Sequence, residues 1–163
     1  MPPIVESPVS FSQLDFWRRT SLVGYRFNPQ VTSWTETSTI PAGLPELVFA
    51  KLDNTAWQRF RDFSRWPDGW AGPGSHAIAW GTYLNLERFL DGSRFPTSRT
   101  PPSLFVSDEG FLGLQWEARN GTTVSVTLHP SGADYFIESE GAEGTVEDAE
   151  IPALAERLNR TLA

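Results

Sequence analysis

Between residues 93 and 103 the spacing of apolar side chains in this chain changes, and that change limits the folds open to it. Upstream, apolar residues recur every three to four positions. Downstream they recur every second position, as in TTVSVTL, residues 122–128. A period of 3.6 reads as helix and a period of 2 as half-buried strand. The spacer between them, SRFPTSRTPPS, is extended by its prolines. The expected class is therefore α+β: two helices, a four-stranded antiparallel meander and a C-terminal helix, with possible extra N-terminal strands.

The first helix is expected within DNTAWQRFRDFSRW. Asp53 or Asn54 is placed as N-cap, and Ala56, Trp57, Phe60 and Phe63 fall on one arc. Pro67 stops it. The second is expected within HAIAWGTYLNLERFLDG, capped by Ser75, with His76 in its first turn and Ala79, Tyr83, Leu86 and Leu90 as its stripe. Gly92 is its expected C-terminal stop. ELVFAKL, residues 46–52, reads as a strand. Residues 1–45 are expected to form an N-terminal segment packing on an α+β domain of residues 46–163, a single domain overall. Within that segment a short helix is expected around Phe11–Leu22, and strands at LVGYRF and VTSWTET.

The four downstream strands are SLFV, FLGLQWEAR, TTVSVTL and ADYFIES, joined by SDEG, Asn120-Gly121 and HPSG. Asn-Gly suits a type I′ turn. The inward set is Leu104, Val106, Leu112, Leu114, Trp116, Val124, Val126, Leu128, Tyr135 and Ile137. Each such side chain contributes ~1.5–3 kcal/mol when buried. The other face, with Gln115, Glu117, Thr123, Ser125, Thr127, Asp134, Phe136 and Glu138, reads as wet except for Phe136. Finally Ile151, Leu154, Ala155, Leu158 and Leu162 line one stripe of a terminal helix, with Pro152 in its first turn.

Composition narrows function by exclusion. There is no cysteine, so disulfides, thiol catalysis and thiolate metal sites are out. A net charge of −7 opposes direct nucleic-acid binding. No apolar run reaches the ~20 residues of a membrane span, and the N-terminus lacks a secretory pattern, so a cytoplasmic protein is expected. His76 and His129 have no acids at metal-ligand spacing, and GPGSHA is not a nucleophile elbow. No cofactor is implied. Asp108-Glu109 and the pair Glu117 and Glu138 are the carboxylates a hydrolase would draw on.

Two features remain. Residues 1–120 carry eleven Lys/Arg against twelve Asp/Glu, whereas residues 121–163 carry two against eight. That acidic stretch suits a basic partner. The second is WPDGWAGPGSHAIAW, residues 66–80, with three Trp and three Gly. Its glycines permit positive φ or close approach, its prolines stiffen it, and Trp66 and Trp70 fill the space between two helices.

Together, Trp70-Ala71-Gly72-Pro73-Gly74, Pro101-Pro102, Leu114-Gln115-Trp116-Glu117 and Asn120-Gly121 resemble a group of small bacterial and phage proteins. These carry a W-x-G-x-G corner, a Pro-rich spacer, an NG hairpin and an acidic tail. Ala71 stands where that group commonly has an acid. The resemblance implies an antitoxin- or immunity-type role, neutralising a partner protein. The expected partner-binding residues are Trp70, Trp80, Glu117, Asp134, Phe136, Glu138 and Glu140, with no catalytic residues. A small-molecule or carbohydrate binder using the Trp-rich corner, and a hydrolase built on the surface acids, are the alternatives. Homo-oligomerisation through the same aromatics stays open.

Overall fold

The computed structural model describes residues 40–94, 101–118 and 120–163. The features expected within residues 1–39 lie outside these. Among the described residues, four α-helices and five strands follow in the order α1 (Leu44–Lys51), α2 (Asn54–Phe63), α3 (Trp80–Gly92), β1 (Ser103–Val106), β2 (Leu112–Glu117), β3 (Thr123–His129), β4 (Gly132–Ile137), β5 (Ala142–Glu147) and α4 (Ile151–Leu162). The class is α+β. The sheet is an antiparallel meander in the order β1-β2-β3-β4-β5.

ELVFAKL is helix, not strand. Pro45 sits in the first turn of α1, where a fixed φ favours helix. Leu44 and Val48, one turn apart, are fully buried while Phe49 points out. The Lys51 ammonium donates to the Ser93 carbonyl at 2.7 Å, tying α1 to the end of α3. In α2, Asp53 is the N-cap, its carboxylate accepting from the Ala56 N–H at 2.7 Å. Ala56, Phe60 and Phe63 are buried.

Helix α3 begins at Trp80, not at Ser75. The Ser75 hydroxyl is already used: it donates to the Gly72 carbonyl and accepts from the Ala71 N–H, both at 2.9 Å. His76 therefore precedes the helix, and Ala79 is an N-cap outside the buried stripe. Gly92 does not adopt a left-handed φ. It is small because α4 crosses there, with a β-carbon at Gly92 lying 3.2 Å from that of Ala155. The α4 stripe, Ile151, Leu154, Ala155, Leu158 and Leu162, is buried throughout.

The meander gains a fifth strand over the expected four. β5, AEGTVE, has only alanine and valine as apolar residues, so alternation gave it no signal. The β2–β3 turn is closed by Gly121 N–H to the Ala118 carbonyl and Ala118 N–H to the Thr122 carbonyl. Gly121 has positive φ, +77°, but Asn120 does not, so Asn-Gly does not form a type I′ turn, which needs both. Strand phase matches the expected inward set, with Ala133 added and Tyr135 only half-buried. Helix α2 packs near β1, α3 over β3 and β4, and α4 over β5 and α3. The other face is not uniformly wet. Ser125 and Thr127 are 1% and 7% exposed. Phe105 crowds this face, its ring lying where a side chain at Gly113 would stand, and Phe136 is directly opposite Ser125.

Candidate functional site

The Trp-rich corner is built to hold its own shape. Trp66 packs on Phe63 at a ring separation of 4.8 Å and on Trp70 at 4.2 Å. The Trp70 indole N–H donates to the His76 carbonyl at 3.1 Å, so its one polar group is spent. Gly69 N–H reaches the Ser75 carbonyl, and Asp68 accepts from Ala77 N–H at 2.9 Å. The corner then docks on the β1–β2 turn: His76 N–H donates to the Asp108 carbonyl at 2.8 Å. Gly110, at φ +77°, is pressed against the Ala77 carbonyl, where any β-carbon would collide. His76 and Asp68 are exposed and 3.8 Å apart.

Among the expected site residues, the strands bring some together and leave others out. Register places Gln115, Ser125, Phe136 and Glu143 in one row across the outer face, and Gly113, Thr127, Asp134 and Thr145 in the next. Glu117 lies opposite Thr123 at the end of β2. The Glu138 carboxylate, just past β4, accepts from the Thr123 N–H at 2.6 Å, so Glu117 and Glu138 flank the same residue. Asp134 accepts from the Thr145 hydroxyl at 2.6 Å and lies 3.8 Å from the His129 ring. His129 in turn has the Ser131 hydroxyl at 3.1 Å and the Phe111 ring beside it.

Glu140 belongs elsewhere. Its carboxylate takes the Arg157 guanidinium at 2.7 Å and the Thr161 hydroxyl at 3.1 Å, both from α4. The Arg157 hydrogen bond, reinforced by that of Thr161, holds the Glu140 carboxyl below its usual range. Arg157 also lies over the Tyr135 ring, 5.1 Å from its centre, and donates to its hydroxyl. Glu140 therefore clamps the terminal helix. Trp70 and Trp80 belong to the helical layer and its connection. Trp80 is 48% exposed at the start of α3, where Gly81 abuts Pro130 of the β3–β4 turn.

The residues that sequence reasoning missed are Glu143 and Glu147 of β5. They share the outer face with Asp134, because β5 alternates exposed Glu143, Thr145 and Glu147 with half-buried Ala142, Gly144 and Val146. Gly141 before and Asp148 after were the available boundary signals. None of the five strands contains a Lys or Arg. The face is therefore anionic without a countercharge from its own strands.

Among the described residues no group of three or more His, Asp or Glu is placed to hold a metal ion, and no helix is long and apolar enough to cross a membrane. No family description matches this chain, and neither does any curated protein or solved structure.

Proposed function

We propose that this protein is a non-catalytic protein-binding module of the antitoxin or immunity type, which neutralises a basic partner through the outer face of its sheet. One observation carries the reading: Glu117, Asp134, Glu143 and Glu147 stand on that face, and the strands that present them hold no Lys or Arg. Uncompensated charge of one sign steers an oppositely charged partner and rejects like-charged ones. Phe136, half-buried in the middle of the face, supplies an apolar contact. The mechanism is occlusion: electrostatic capture, then coverage of the partner's working surface.

The test is capture from the producing cells at low salt, with the intact protein and with Glu117→Lys/Glu143→Lys side by side, followed by calorimetry on whatever is retained. The expected result is a basic protein held by the intact chain, released by salt, and bound at least about tenfold more weakly by the variant. Equal retention by both proteins, or no salt-sensitive partner, refutes the reading.

A further inference from the structure

We infer that the partner of this protein is engaged by strand addition: an extended segment with Lys or Arg at alternate positions lies along the free edge of β5. The inference rests on the proposed binding of a basic partner and specifies how it is held.

β5 is the last strand of the sheet, and among the described residues nothing pairs with its far side. Every second backbone N–H and C=O along it is thus without a strand partner. The edge is also unusually regular. β5 pairs with β4 from Ile137↔Ala142 to Gly132↔Glu147 with no bulge, and it contains no proline and no Lys. Bulges, prolines and lysines are the common devices that close an edge to another strand. Here only glutamates guard it.

Those glutamates select the occupant. Were a second copy to pair antiparallel about Thr145, Glu143 of each chain would face Glu147 of the other, and like charges directly opposite are destabilising. A strand with cations at alternate positions meets the opposite situation, since Glu143 and Glu147 stand on the same face two steps apart around Thr145. The arginines at the two ends of β5 are paired with the flanking acids: Arg157 with Glu140 at 2.7 Å, and Arg88 with Asp148 at 3.2 Å. The inward residues, Ala142, Gly144 and Val146, are half-buried, so apolar side chains of an incoming strand would continue this layer at its edge. Six residues of strand span about 20 Å, enough for a five- to six-residue segment.

The probe is a fluorescein-labelled six-residue peptide alternating lysine and valine. Two isomers of it carry N-methyl groups on the odd or on the even peptide bonds. A strand on the β5 edge points only one of these two sets of N–H groups at the protein. The expected result with the full-length chain is that the parent peptide binds, one isomer weakens by about tenfold or more, and the other stays within about threefold. Backbone amides of residues 142–147 exchange more slowly when the parent is bound, and Glu143→Lys weakens it. If both isomers bind like the parent, the edge is not the site, and a basic partner held on the face alone still satisfies the proposed function. If no lysine–valine peptide binds even at low salt, strand addition is overturned, while capture of a whole basic protein tests the function separately.

Discussion

The Trp-rich corner, which stands out in the sequence, and the β5 edge, which does not, use their polar groups in opposite ways. In the corner the Trp70 indole N–H, the Ser75 hydroxyl, the Asp68 carboxylate and the backbone N–H groups of residues 69–72 and 75–77 bond within the corner or to the β1–β2 turn. At the edge, the backbone of β5 has a strand partner on one side only among the described residues, and Glu143 is exposed. Aromatic density thus marks a brace, whereas the plain sequence AEGTVE marks the surface with unspent hydrogen-bonding capacity. A group already satisfied within the fold has little left to offer a partner.

Substitutions divide along the same line. The largest effect is expected at Gly110, where the corner meets the sheet. Gly110→Ala adds a β-carbon against the Ala77 carbonyl at a φ of +77°, so overpacking and left-handed strain combine. A loss of about 3 kcal/mol in chemical denaturation follows. A loss below about 1 kcal/mol would mean that the corner is not held rigidly to the hairpin. Next comes Trp70→Ala, at about 2 kcal/mol. That is less than for a wholly buried indole, since this ring is half-exposed. Trp70→Phe keeps the stacking on Trp66 and loses only the bond to the His76 carbonyl, about 1 kcal/mol. If Trp70→Ala left stability intact and altered binding instead, the brace reading would fail.

Most of the core was legible because burial on one face forces a period. Leu112, Leu114, Val124, Val126 and Leu128 alternate cleanly, and so do Ile151, Leu154, Leu158 and Leu162 at helical spacing. What escaped were elements whose residues answer to something other than the core. β5 needs little apolar surface at the sheet edge, so it has no hydrophobic signature. α1 is only eight residues long, and a short apolar run fits strand or helix equally until Pro45 decides. Ser75 is a good helix cap by type, yet the turn formed by Gly72 and Ala71 claims its hydroxyl. In the candidate face, Asp134 and Phe136 were readable from the alternation of β4. Glu140 was not, because it ends a 3₁₀ turn, Glu138–Glu140, that redirects it toward α4.

A substitution in β5 sharpens the contrast from the other side. Glu143→Lys alters an exposed side chain that makes no hydrogen bond or ion pair within the protein. Its effect on unfolding is expected to stay within about 0.5 kcal/mol. Its effect on a bound cationic peptide should be far larger than that. A destabilisation matching that of Trp70→Ala would show that the edge acids support the fold and would remove the distinction between the two regions.

A last effect, at Glu140, the acid of this region that is bonded to α4, is resolved by pH. Arg157 and Thr161 lower the Glu140 carboxyl from its ordinary value of 4.5. A carboxyl lowered on folding contributes stability that is fully present above its unfolded value and is lost as pH falls through the folded one. The difference in stability between the intact protein and Glu140→Gln should therefore be constant from neutral pH down to about 5, then shrink toward zero below 4.5 as the carboxyl takes up its proton. Thermal melts of the two proteins across that range read the difference directly, and the other acids cancel because both proteins carry them. A gap that persisted unchanged at pH 3 would assign the loss to packing of α4 and not to the ion pair with Arg157. A gap absent at every pH would place Glu140 with Glu143 among the acids free to meet a partner.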